Sequence, residues 1–314
     1  MRWFPLALLL VGCGTFNYNR AALVPRGTPR VTTGTPMDSV GQLDVGATSI
    51  AHLSSPGEGD PNQGVEIPGT QLHGGAKLRA GKNLQLGIIY ENGFDSGAKA
   101  IKSTQPPVDN GNVAGYGISI DAIIPTSDPN LNVGIGFDGI LWSVPYVQYN
   151  SCAAGADCFP YSITERGRDH VNAFAASITP SYKVDPSIVI FGGATIRNQP
   201  TIQQKGQTMD PLLGDPNDSE VQSGPANIIV SAGAQFSLAD GSVLISGVAF
   251  YDVTKNVYQD KPGLGVMVSL PIGHLPKQQP ANPPPQQQWY PPPPGGYPPP
   301  PYAPQPYPQP APAQ

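Results

Sequence analysis

Residues 113–140 read VAGYGISIDAIIP, then TSDPN, then LNVGIGFDGI. In the first run Tyr116, Ile118, Ile120, Ala122 and Ile124 point one way, and Gly117, Ser119 and Asp121 the other. In the second, Leu131, Val133, Ile135 and Phe137 share a face opposite Asn132, Gly134, Gly136 and Asp138. Strict period two over such lengths predicts strands, and the polar Thr-Ser-Asp-Pro-Asn link joins them as a hairpin. The chemistry of the polar face decides what kind of sheet this is. It is Gly, Ser and Asn with lone acids, where a soluble sheet would show Lys, Glu and Arg. An apolar outside around a small, polar inside is the pattern of a transmembrane β-barrel.

Composition points the same way. Only 12% of the 314 residues are charged, about half the usual soluble share. No run approaches the ~18 apolar residues of a membrane-spanning helix. A net charge of -5, with no basic stripe, removes nucleic acid as a partner.

Working outward, ten alternating runs predict strands near 42–53, 69–80, 83–93, 113–124, 131–143, 170–183, 187–198, 226–239, 242–253 and 263–273. Their lengths suit tilted strands crossing a bilayer. The fold class is therefore all-β: an antiparallel up-and-down transmembrane barrel of about ten strands, within a range of eight to twelve. Links alternate between tight turns, at 80–82, 125–129, 184–186 and 239–241, and long segments at 54–68, 94–112, 144–169, 199–225 and 254–262. Short turns at one end and long loops at the other match outer-membrane barrels, with turns periplasmic and loops outside. An even strand count predicts that both chain ends return to the periplasm. Around the wall Leu84, Leu86, Ile88 and Tyr90 alternate with Gln85 and Glu91, and Leu264, Val266, Val268, Leu270 and Ile272 with Gly265 and Ser269. Tyr90, Tyr116, Trp142 and Tyr251 are expected in an outer aromatic girdle, Tyr182 and Phe236 in an inner one. At 187–198 both faces are apolar and alternation fixes no register.

Alternation assigns to the lumen the charged and titratable residues Asp44, His52, His73, Lys77, Arg79, Glu91, Asp121, Asp138 and Arg197, with Gln71, Gln85, Asn132, Asn172 and Gln235. Charges of both signs on neighbouring strands form either an internal salt-bridge network, since buried charges need partners, or a polar path for a solute. Interiors of about eight strands are filled by side chains and wide channels need about sixteen, so ten strands favour a narrow or closed lumen. Catalysis would have to use His52, His73 or His170 with Asp169 or Asp252 near the outer rim. No motif fixes their spacing and no nucleophile stands out, so no catalytic residue, metal or cofactor is assigned.

The chain falls into four parts. Residues 1–12, MRWFPLALLLVG, have the shape of a secretory signal. Leu10-Val11-Gly12-Cys13 resembles the lipobox of bacterial lipoproteins. That resemblance implies lipidation of Cys13 and, with Gly14 following, an outer-membrane destination. Residues 13–41, rich in Thr, Gly, Pro and Arg, lack apolar periodicity and read as a flexible tether. Residues 42–274 are the barrel. In the 275–314 tail, WYPPPPGGYPPPPYAPQPYPQP cannot form a core and suits polyproline II. It is either a spacer or a ligand for an aromatic groove on a periplasmic or peptidoglycan-associated partner. Cys152 and Cys158, in CAAGADC, are expected to close a loop by a disulfide in an exported chain.

As a class the chain resembles bacterial outer-membrane β-barrels with a lipoprotein-type signal. One departure is that the last strand ends internally at Ile272, where such barrels commonly end on a terminal aromatic. The resemblance implies a lipid-anchored barrel in contact with outer-membrane lipid, with both termini periplasmic. Three roles stay open at this point: a structural or binding barrel, a narrow channel for a small solute, and a rim hydrolase.

Overall fold

The computed structural model describes residues 16–30, 37–50, 65–94, 108, 111–152, 162–203, 220–254 and 262–274. Its twelve strands are β1 (Phe16–Leu23), β2 (Ser39–Ile50), β3 (Val65–Glu66), β4 (Thr70–Arg79), β5 (Leu84–Phe94), β6 (Asn112–Pro125), β7 (Leu131–Cys152), β8 (Ser162–Asp185), β9 (Ile188–Gln203), β10 (Glu220–Leu238), β11 (Val243–Asp252) and β12 (Gly263–His274). Ten of them form the wall. β2 pairs with β4, each later strand pairs antiparallel with the next, and β12 returns to β2. The ten-stranded wall thus closes on itself, as hydrocarbon surroundings require.

The turns follow local chemistry. At 126–130 the Thr126 hydroxyl accepts from Asp128 N at 3.2 Å, and Asp128 accepts from Asn130 N at 2.8 Å. At the β8–β9 turn the Asp185 carboxylate takes both the backbone N and the hydroxyl of Ser187 at 2.7 Å. Between β10 and β11, Ala239, Asp240 and Gly241 adopt left-handed φ of 50°, 54° and 89°. These Asx and left-handed turns are the local signals that the sequence carries.

The faces agree with the alternation. Ile118 is 63% exposed and lies between Gly117 and Ser119, of which Ser119 is buried. Leu86, Ile88, Ile196, Val230, Phe236, Leu264, Val266 and Ile272 are likewise exposed on the outside, and Gln85, Glu91, Asp121, Gln235 and Ser269 are buried inside. Tyr90 and Tyr116 are register partners whose ring centroids lie 5.1 Å apart, part of the girdle near the long-loop end. In β9, where sequence fixed no register, Ile190 and Ile196 face out while Phe191, Thr195 and Arg197 face in.

Several expectations are corrected. The wall is taller on one side, with 22 residues in β7 and 24 in β8. Within the segments 144–169 and 199–225, read as long loops, the described residues 144–152, 162–169, 199–203 and 220–225 are strand. Beyond the bilayer a ladder still pairs its backbone but no longer needs an apolar face, so ITERGR at 163–168 shows no alternation. Trp142 is not in the girdle but fully buried. It is an even-numbered residue on a strand whose odd positions, Phe137 and Leu141, face out; residue type misplaced it where period two would not have. Asn172, expected inside, is exposed, because its neighbours Val171 and Ala173 point inward.

The largest correction concerns 13–41. Its described residues are not a free tether. β1 runs antiparallel to the projecting part of β7, from Phe16 opposite Cys152 to Ala22 opposite Tyr146. There β7 rises past the first residues of β6, and β1 covers the edge left open. β3 pairs parallel with Ala22 and Leu23. Residues 24–28 are buried and lead down the lumen. The chain reappears at the short-turn end, where the Met37 carbonyl accepts from Arg79 at 2.9 Å and β2 begins. The N-terminal segment therefore crosses the barrel interior. The first described residue lies at the long-loop end and β12 finishes at the short-turn end, so the two are at opposite ends despite the even strand count.

If the apolar outer face meets acyl chains, Ile118→Arg at mid-strand should cost about 2–4 kcal/mol, and Ile272→Arg at a strand end about 0–1 kcal/mol. Urea titrations of the protein folded into lipid vesicles would measure both. A fluorophore on Ile118→Cys should be quenched by lipid-soluble agents; protection from lipid and water quenchers alike would make this face a buried core.

Candidate functional site

The lumen is layered from the long-loop end downward. An apolar seal comes first: Leu23 and Val24 pack with Ile67, Val113, Trp142, Val144, Val147 and Val171. Sequence alternation did not find this core, because inward apolar residues on the projecting strands break the polar-inside rule that holds lower down.

Beneath the seal lies a layer of charge. Arg26 is fully buried: its backbone N donates to Gln71 Oε1 at 3.0 Å, and its guanidinium to the carbonyls of Thr48, at 3.3 Å, and Gly69. Gln71 Nε2 in turn donates to Glu91 Oε2 at 2.6 Å. Arg197 pairs with Glu91 at 2.9 Å and donates to the Thr28 hydroxyl at 3.1 Å, with its guanidinium carbon 5.6 Å from the Trp142 ring centre. His73 Nε2 lies 2.8 Å from the Thr48 hydroxyl, and its Nδ1 3.9 Å from Glu91. One step lower, Arg30 forks between two strands, with Nη1 2.7 Å from Asp121 and Nη2 2.9 Å from Asp138. Lys77 lies 3.6 Å from both Asp44 and Asp121. A Cβ added at Gly136 would stand 1.8 Å from Arg30 Nη1, so the guanidinium takes the space that a side chain there would fill.

At the bottom is an open cup of about 220 Å³, lined by Gln42, Lys77, Gln85, Gln235 and Met267 among others. The lumen is thus closed above and hollow below.

Eight of the residues assigned to the lumen, Asp44, Gln71, His73, Lys77, Glu91, Asp121, Asp138 and Arg197, converge on residues 26–30. Arg79 sits apart at the short-turn mouth, bonded to the Met37 and Gly81 carbonyls. His52, Cys13 and Cys158 lie outside the described residues; Cys152 ends β7 opposite Phe16. The described rim residues do not assemble. His170 is on the exposed face, Asp169 pairs with Arg20 at 2.7 Å, and Asp252 caps Thr254 N at 3.0 Å. Among the described residues no group of three His, Cys, Asp or Glu is placed to hold one metal ion.

Sequence reasoning missed Arg26, Arg30 and Thr28. A signal was present: Arg20, Arg26 and Arg30 fall within eleven residues of a chain with only 17 basic residues. The luminal acids Asp44, Glu91, Asp121 and Asp138 also outnumber Lys77 and Arg197, the basic residues that meet them from the wall.

A closed antiparallel wall with an apolar outer band and a polar lumen defines a β-barrel of the bacterial outer-membrane type, here threaded by its own N-terminal segment. No protein-family model and no curated protein matches the chain. Among solved structures it is similar to the translocator domain of autotransporter NalP from Neisseria meningitidis, at 10% identity over 76% of this chain and 90% of that one, TM-score 0.34. It is similar also to LpxR from Salmonella typhimurium, at 10% identity over 73% and 99%, TM-score 0.33. A third is the Ralstonia pickettii toluene transporter TbuX, at 8% identity over 75% and 91%, TM-score 0.31. These are outer-membrane barrels of varied role. The architecture of this chain rests on its own strand pairing and faces.

Replacing Arg30 with an apolar residue strands the buried Asp138 carboxylate and leaves Asp121 only Lys77, at 3.6 Å, and breaking a buried ion pair from one side costs about 3–5 kcal/mol. Arg30→Met should lower stability by that order, read from urea unfolding in vesicles. Adding Asp121→Asn and Asp138→Asn should recover most of the loss; if it does not, the fork is not what holds the segment.

Proposed function

We propose that this chain is an outer-membrane barrel plugged by its own N-terminal segment, with a structural or binding role rather than that of an open pore. The observation that carries the reading is Arg30, which reaches across the lumen to Asp121 and Asp138 beneath a sealed apolar layer. With short turns periplasmic, the long loops and the start of β1 are on the outside. A lipid on Cys13, three residues before Phe16, would then belong to the outer leaflet and not to the periplasmic face. The Pro-rich 275–314 arm, following β12, extends into the periplasm, where its Tyr-Pro units suit an aromatic groove on a periplasmic or peptidoglycan-associated partner. A Cys152–Cys158 disulfide would staple the loop that tops the tallest hairpin. A second reading, a gated path for a small solute, is favoured by the 220 Å³ cup that opens to the short-turn side.

Two measurements test this. Planar bilayers containing the unmodified protein should show no steady current, and a persistent ohmic conductance would overturn the plug. An epitope inserted after Thr15 should be labelled on intact cells, while one after Gln314 should require permeabilisation. The reverse pattern, or labelling of both on intact cells, would overturn the threaded topology.

A further inference from the structure

The fork that holds Arg30 has the features of a binding site in its own right. Asp121 and Asp138 do not face each other. In the β6–β7 register Asp121 stands opposite Gly136, and Asp138 opposite Ser119. The two carboxylates are therefore diagonal, with an empty glycine position between them. A planar cation with two N–H edges bridges that diagonal, and Arg30 does so at 2.7 and 2.9 Å. The site is also wider than Arg30 needs. Ser119 and Ser177, 2% and 7% exposed, present hydroxyls with no hydrogen-bond partner among the described residues. Ser177 is the β8 register partner of Gly136, and its Oγ lies 2.8 Å from where a Gly136 Cβ would stand. A guanidinium has five N–H donors; the Ser177 hydroxyl is an acceptor on the rim of the seat left by Gly136, and the Ser119 hydroxyl stands beside Gly87, on the residue that is the register partner of Asp138.

Charge agrees with shape. The wall meets residues 26–30 with Asp44, Glu91, Asp121 and Asp138 against Lys77 and Arg197, two negative charges in excess. Arg26 and Arg30 of the threaded segment supply the balance. An interior that excludes water strengthens such an imbalance once the compensating charges leave.

Resting on the self-plugged reading, we propose that Asp121, Asp138, Ser119 and Ser177 form a guanidinium-binding site. Arg30 occupies it in the closed chain, and when vacated it makes the lumen favour cations over anions. The ligand class is a small planar cation of the guanidinium type, free or at the end of a longer solute.

The test is rescue in the full-length protein folded in vesicles. Arg30→Ala should unfold at a lower temperature than the unmodified chain. Guanidinium chloride at low, non-denaturing concentration should raise that temperature, while potassium chloride at the same ionic strength should not. With Asp121→Asn and Asp138→Asn added, the guanidinium effect should vanish. If Arg30→Ala does not fold, recovery of its heat-modifiable migration by guanidinium is the readout, and no recovery overturns the site. An equal response to both salts also overturns it. In planar bilayers under a potassium chloride gradient, current through Arg30→Ala should reverse on the potassium side and be blocked by guanidinium. Reversal on the chloride side would overturn the cation preference while leaving the plug intact. If these bilayers stay silent, guanidinium rescue alone decides the site.

Discussion

A lumen of ten strands is the constraint from which the rest follows. It is too wide for side chains of the wall to fill and too narrow for a wide aqueous channel. One extended segment of backbone fits it, and residues 24–30 occupy that space. Filling it with backbone raises a second demand, since buried peptide groups and carboxylates both need partners. Gln71 and Thr195 accept from the backbone N of Arg26 and Arg30, at 3.0 and 3.3 Å, and the guanidinium groups bind wall carbonyls and carboxylates. Volume and charge are thus settled by one stretch of chain.

The tall side of the barrel is coupled to this. Strands β7 and β8 rise well beyond their neighbours, which would leave the β6-side edge of β7 open for pairing with another chain. β1 lies along it and brings Leu23 and Val24 to the head of the lumen. There they close against Trp142 and the valines of β6 and β7. Removing β1 would therefore expose an edge, open the seal and withdraw Arg26 and Arg30 together. Edge cover, seal and ion layer depend on the same fifteen residues, 16–30, which argues for one cooperative unit rather than a tail resting in a pore.

Much of the wall was legible in the sequence. Period two gave the ten strands and their faces, and the Asx and glycine turns gave the short-turn end. Of the luminal residues named from alternation alone, eight meet in the charged layer. The errors have specific causes. Trp142 was placed by residue type against its own strand's alternation. The strand residues 144–152, 162–169, 199–203 and 220–225 were read as loop because ladders outside the bilayer need no apolar stripe. At 187–198 both faces are apolar, since Phe191 fills the lumen beside Gly233, and only pairing with β8 and β10 set the register.

The class of object, a closed sheet with lipid outside and polar groups within, is written in the residues themselves. Each side chain reports its own transfer preference, and period two sums those preferences strand by strand. The content of the lumen, and the end from which the chain enters it, come only with the closed barrel. Residues 24–30 have no periodicity, because their environment is a cylinder rather than a face. Their partners, Thr48, Gln71, Asp121, Asp138, Thr195 and Arg197, come from five strands spread over some 150 residues. No local window joins an arginine near the N-terminus to carboxylates on a hairpin ninety residues on. Closure of the barrel does, by bringing these five strands around one axis where unpaired charge cannot remain.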